Sequence, residues 1–405
     1  MGSVMRFISA RGTATLFAMF CVVGQVVATD TLNKPAPPSS DAIDRSIEAH
    51  LEKAGLVGAG AAIIIDRKLV WSRGYGYADK QAGVPFTPDT AMNIASISKT
   101  FTGVALMQAV QEGKLSLDQD INTYLPFKVA NPSFPNEPIT LRQLATHTSG
   151  ITDRWAVYQG AYHWGGEATR PLDEFLKAYL VPGGKDYSSE NFLSSKPGMH
   201  REYSNIGAGL AGYIVELAVG EKLNLYTQRR IFKPLHMQNS GWRLSDIAPG
   251  NHSTLYVGQE GFSVPIQHYS LVTYPDGGVR TSVADLSRFF IGLLAGGQYE
   301  GTRILEESST AEMLRFQYTG SNKPDNVILS EKNSGIFWST KFDTTLIGHG
   351  GSDPGVRTDM LSNLSKDVAV VLFINTSVTG PEAKAYNDIF KDLWQHAEAL
   401  KAQAK

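Results

Sequence analysis

Cysteine is almost missing from this chain: of 405 residues only Cys21 carries a thiol, so no disulfide within the chain and no cysteine-built metal or redox centre is available. Charge of one sign is missing too. Lys and Arg number 37 against 39 Asp and Glu, a net charge of -2, so there is no surplus positive field to follow phosphates and no nucleic-acid partner is expected. HExxH and CxxC do not occur, and neither a metal nor a cofactor is implied. GxSxG is also absent. No internal repeat is present. What remains is an ordinary globular composition, 42% hydrophobic and 19% charged, long enough for about two or three domains.

The N-terminus reads as an export signal. Arg6 and Arg11 precede an apolar run, Ala14 to Ala28, and Val26-Val27-Ala28 offers small residues for cleavage before Thr29. That run is shorter than the roughly 20 residues a bilayer span needs, which disfavours the rival reading, a membrane anchor. Residues 1–28 are therefore expected to be removed, leaving a secreted or periplasmic protein with no stable membrane span. Residues 29–40, rich in Pro and Ser, read as a linker.

From Asp41 the pattern becomes structured. Ile43, Ile47, Leu51 and Ala54 recur at helical spacing with Asp41 as cap and Gly55 as stop. Ala59–Ile65 and Leu69–Tyr77 then read as a hairpin, and Ser98–Gln111 as a helix. Helical stretches at 139–145, 172–179, 207–218 and 283–294 are separated by long Gly-, Pro- and Ser-rich segments. Strands are expected again at 335–341, 344–347, 356–363 and 368–375, and a last helix at 383–402. The order implies an α/β fold of the α+β type, with an antiparallel sheet built from both chain ends, flanked by helices. Residues 41–115 and 300–405 would form the sheet domain and residues 116–299 an inserted, mostly helical one.

Three short motifs carry candidate chemistry. In Ser96-Ile97-Ser98-Lys99 the amine lies one helical turn from the hydroxyl, on the same face. A serine needs a partner to take its proton, and a lysine can do so only as the free amine, which burial or cationic neighbours would favour. Tyr203-Ser204-Asn205 supplies a phenol able to relay protons and an amide able to hold both a lysine and a substrate amide. His349-Gly350-Gly351 falls between two expected strands, where glycines would let a substrate approach closely and the N–H of Ser352 could join that of Ser96 as an oxyanion donor.

SxxK, YxN and a basic residue followed by glycine, in this order, resemble the penicillin-recognising serine hydrolases: class C β-lactamases, DD-carboxypeptidases, D-aminopeptidases and β-lactamase-like esterases. Gly74-Tyr75-Gly76, Thr146-His147-Thr148-Ser149-Gly150, Pro197-Gly198 and Gly277-Gly278 extend the resemblance over residues 41 to 395. It implies Ser96 as acylated nucleophile, Lys99 as base or electrostatic partner of the base, and Tyr203 as proton shuttle. Asn205, His349, Gly350, Gly351 and Ser352 would bind substrate. His349 replaces the lysine of the β-lactamase KTG motif, and a neutral imidazole holds a carboxylate less firmly. The expected activity is acyl transfer to water from short peptides, D-residue peptides included, or small esters. A β-lactamase and a non-catalytic binder of peptides or cell-wall fragments are the rival readings, and the oligomeric state stays open.

Other features have plainer readings. Gly207-Ala208-Gly209-Leu210-Ala211-Gly212 fits GxGxxG but lacks a preceding strand, so close helix packing is expected. His147 is expected to brace a loop. Trp155, Tyr158, Tyr162 and Trp164 form either a satellite core or a wall of the acyl pocket.

Overall fold

The computed structural model describes residues 40–259 and 262–403, so the expected signal segment and nearly all of the linker lie outside the described residues. Helix α1 (Ser40–Ala54) begins one residue before the expected Asp41 cap and places Ile43, Ile47 and Leu51 on its buried face. A hairpin follows, β1 (Gly58–Ile65) and β2 (Lys68–Asp79), with a two-residue β3 (Val84–Pro85) beside it. Its turn holds Asp66 and Arg67 at positive φ, as tight hairpins of right-handed twist require.

Late in the chain come β4 (Ser339–Lys341), β5 (Leu346–Asp353), β6 (Val356–Asn363) and β7 (Val368–Ile374). The sheet runs β4-β5-β6-β7-β1-β2-β3, every pair antiparallel, and the two chain ends meet where Ala59 faces Ile374. Each face of its centre is covered. Ala59, Ala61 and Ile63 of β1, with Val370, Leu372 and Ile374 of β7, turn toward α1 and the C-terminal helix. The alternate residues Ala62, Ile64, Val371 and Phe373 turn to the opposite core. Burial on both faces explains why these strands are uninterrupted apolar runs.

Between the strands lie α2 (Ser98–Gln111), α3 (Leu141–Ala145), α4 (Leu172–Leu180), α5 (Asn205–Val219), α6 (Val283–Leu294) and α7 (Glu307–Leu314); α8 (Pro381–Gln403) closes the chain. Helix α2 is buried on nearly all sides, with Phe101 stacked on Phe289 at 3.9 Å and tilted against Phe232 at 5.3 Å. Truncating such a ring to alanine typically costs about 3–5 kcal/mol. Of the α5 glycines Gly212 serves close packing, as expected: a Cβ there would stand 2.3 Å from the Pro275 ring.

Two strand expectations need correction. Residues 335–338 are not extended: Gly335 N–H donates to the Trp338 carbonyl and Phe337 has φ +53°, a turn that buries both aromatics. Nor do His349 to Gly351 lie between strands, because Phe342, Asp343 and Thr344, all at positive φ, make the turn and β5 runs through the glycines to Asp353.

Candidate active site

Ala95–Ile97 form a single 3₁₀ turn that feeds directly into α2. Within residues 91–100 only Ser96 is left partly open; the rest are buried. Ala95 has φ +49°, a left-handed conformation that a side chain disfavours, so the turn carries strain just before the serine. The turn is held from the sheet: Thr358 Oγ1 on β6 donates to the Ile94 carbonyl at 3.0 Å. Gly351 belongs to the same support, because a Cβ there would lie 2.3 Å from the Ile94 carbonyl oxygen. Gly351 thus also lets the turn that carries Ser96 approach the strand closely.

Lys99 is fully buried, and all of its hydrogens have acceptors. Its Nζ donates to Ser96 Oγ at 3.1 Å, to Asn205 Oδ1 at 2.7 Å and to the Asp276 carbonyl at 2.8 Å. Nζ also stands 4.9 Å from the centre of the Tyr203 ring. Burial pulls the ammonium down, but the Tyr203 oxygen and the Asp276 carboxyl outweigh it, and the Lys99 pKa is raised. This is opposite to the lowered value that a free-amine base requires. The Asp276 side chain shows the counterpart: burial pushes it up to about 7 although Lys99 pulls it down.

Tyr203 and Asn205 are brought to Lys99 by the start of α5. Ser204 caps that helix by accepting the Gly207 N–H, and Asp153 accepts the N–H groups of Asn205 (2.7 Å) and Ile206 (3.0 Å). Because Lys99 must meet the amide oxygen of Asn205, the Nδ2 end is left for other partners. His147 braces this segment as expected. Its Nδ1 accepts the Ser204 N–H at 3.2 Å, and its ring lies 4.3 Å from that of Tyr203. Burial sets the His147 pKa well below the ordinary value, so it makes that contact uncharged.

His349 is buried, and its pKa is lowered to about 3, first by burial and then by the Lys99 charge. Its Nδ1 lies 2.7 Å from the Gly350 carbonyl, which can only accept. The neutral ring must therefore carry its proton on Nδ1 and present Nε2 as an acceptor.

A cavity of about 330 Å³ gathers Ser96, Tyr203, Asn205, His349, Gly350, Gly351 and Ser352 in its lining, with Lys99 directly behind Ser96. Every residue singled out from the three motifs is thus placed together. A separate cavity of about 210 Å³ between Glu167, Arg170, Trp242 and Tyr274 holds none of them. The aromatic cluster is not a wall of the 330 Å³ cavity, since none of its four members lines it. Tyr158 instead donates to Asp276 Oδ1 at 3.0 Å and Tyr162 to Asp353 Oδ1 at 2.6 Å, behind the serine and lysine. Among the described residues no group of His, Cys, Asp or Glu is arranged to hold a metal.

Sequence reasoning missed Asp153, Asp276, Arg201, Lys332 and Lys341. Asp276 directly precedes the Gly277-Gly278 pair and could have been flagged there; the others carry no spacing signal.

Comparison with known proteins identifies the family and the fold. A family model described as Beta-lactamase matches residues 43–391. "Protein flp" of Staphylococcus aureus (strain N315) is 26% identical over 343 residues, covering 83% of this chain and 63% of that protein, so the chain spans less than two thirds of that relative's length. Among solved structures, the octameric penicillin-binding protein homologue from Pyrococcus abyssi superposes with a TM-score of 0.68 at 23% identity, covering 90% of this chain and 77% of that one. The D-amino acid amidase from Ochrobactrum anthropi SV3 in complex with D-phenylalanine gives 0.67 at 23% identity, covering 89% and 99%. At these identities the structural matches speak for the fold.

Proposed function

The chain belongs to the beta-lactamase family of penicillin-recognising serine hydrolases, and from that premise we propose that it hydrolyses small esters or short peptides, D-residue peptides included, through an acyl-enzyme on Ser96. The observation that carries this reading is the Lys99 ammonium, 3.1 Å from Ser96 Oγ and holding Asn205 beside it. With all three N–H bonds engaged and a raised pKa, Lys99 acts as a fixed positive charge. As Oγ attacks the acyl carbon, the Ser96 proton passes to the Tyr203 oxygen while the Tyr203 hydroxyl gives its own proton to the leaving group, whose ester or amide bond breaks. Water then releases the acyl group by the reverse path. The N–H groups of Ser96 and Ser352 receive the developing oxyanion, and Asn205 Nδ2 meets the substrate amide.

His349 supports an esterase or peptidase reading over a β-lactamase one. A neutral imidazole offering an acceptor is a poor receptor for the carboxylate of a penicillin. The name of the D-amino acid amidase supports amide substrates of the same general kind. Hydrolysis of 4-nitrophenyl butyrate by Ser96→Ala tests the assignment. A drop of at least about a thousandfold in kcat is expected, and full retained activity would overturn it.

A further inference from the structure

Lys99 is fully buried, and the cavity in front of it is lined by further cations, Arg201, Lys332, Lys341 and Arg357, and by no carboxylate. A counter-charge for its ammonium must come from behind. Two carboxyls stand there, each held by one phenol: Tyr158 donates to Asp276 Oδ1 at 3.0 Å and Tyr162 to Asp353 Oδ1 at 2.6 Å. The two rings meet edge to face at 6.0 Å. Asp276 is the member tied to Lys99. Its carbonyl accepts from Nζ at 2.8 Å, which brings the side chain of the same residue up to the ammonium. Against burial, the Tyr203 oxygen and then this carboxyl raise the Lys99 pKa.

For packing alone a carboxyl is a poor choice at this position. Asp276 is 1% exposed, and its Oδ2 is buried with no hydrogen-bond partner. Thr273 Oγ1, near enough to act on this carboxyl, is buried without a partner as well. An ionised oxygen left so costs free energy, and burial accordingly pushes Asp276 up to about 7. An asparagine would keep the Tyr158 bond through its Oδ1 and place an amide N–H group where Oδ2 now stands, on the side of Thr273. The other groups facing the pair do not replace its charge. Asp353 takes the Tyr162 hydroxyl, Asp153 accepts from Ser204, Asn205 and Ile206, and His147 and His349 are uncharged.

We propose that Asp276 is a positioning residue for the hydrolysis: its carboxylate is held behind Lys99 for its charge rather than for packing, and it keeps the Lys99 ammonium protonated into the alkaline range. This rests on Ser96 as the nucleophile and on Lys99 as its fixed charge.

Above pH 7 Asp276 is ionised, and the alkaline limb of reactivity then reports proton loss from the coupled Lys99 and Tyr203. Removing the carboxylate takes a negative charge from beside both, so both release their protons at lower pH. The test is the second-order rate of labelling by a fluorophosphonate between about pH 6 and pH 10.5, with the adduct mapped, in the wild type and in Asp276→Asn. The alkaline limb is expected to move down by about one pH unit in the variant. Its urea midpoint at about pH 9 is expected to equal or exceed that of the wild type, because no ionised oxygen is then buried without a donor. Asp276→Ala, read the same way, gives a second neutral residue should the first fold poorly. An alkaline limb that stays at the wild-type pH, or urea midpoints of both variants clearly below wild type, would overturn the proposal. A wild-type adduct on a residue other than Ser96 would instead refute the nucleophile, and the role of Asp276 would fall with it; the position of the limb alone cannot produce that result.

Discussion

Lys99 is fully buried, yet its pKa is raised; Lys332, only half-buried and on the other wall of the same cavity, is pushed down to about 8. Depth alone would order them the other way. The difference lies in what surrounds each ammonium. Lys99 meets a hydroxyl, an amide oxygen and a backbone carbonyl, with a carboxyl and a phenol close by, whereas Lys332 meets one hydroxyl, one carbonyl and two like charges. Burial lowers both ammonium groups, and the partners decide whether that lowering is overcome, as at Lys99, or deepened, as at Lys332.

The largest effect that could break this contrast comes from Lys99→Met. It removes the charge and leaves Asn205 Oδ1 and the Asp276 carbonyl without their donor, so kcat for 4-nitrophenyl butyrate should fall by about 10³-fold or more. A variant within tenfold of wild type would mean that Lys99 merely fills space.

A second measurement sharpens the contrast directly. After reductive ¹³C-methylation, the Lys332 signal should titrate near pH 8, well below an ordinary lysine. A Lys332 midpoint at the ordinary lysine value would show that neither burial nor the charges of Arg201 and Lys341 act on it.

The smallest effect concerns His349, whose folded pKa of about 3 lies below the ordinary 6.5. Between those values the unfolded chain binds a proton that the folded one refuses, so stability falls as pH drops from 6.5 toward 3. The slope from this one group is at most about 1.4 kcal/mol per pH unit. His349→Asn should flatten the acid limb of urea-unfolding stability by up to that amount, and an unchanged limb would mean that the ring is charged or open to water.

How much of this was legible beforehand follows from the kind of signal each feature leaves. Ser96-x-x-Lys99 and Tyr203-x-Asn205 are local spacings, and the central strands announced themselves as apolar runs closing the sheet from both chain ends. Strand β5 was misread because glycines broke its apolar pattern, and residues 335–338 because a turn that buries Phe337 and Trp338 has the composition of a strand. The direction of the Lys99 shift could not be read at all, since its acceptors arrive from residues 205 and 276. Arg201, Lys332 and Lys341 are separated by up to 140 positions, and isolated charges leave no periodicity for a reader to find.

The most direct test is chemical trapping. Incubation with a fluorophosphonate, followed by intact-mass measurement and peptide mapping, should give one adduct, located on Ser96 and absent from Ser96→Ala. An adduct on another residue, or equal labelling of the Ser96→Ala protein, would contradict the account.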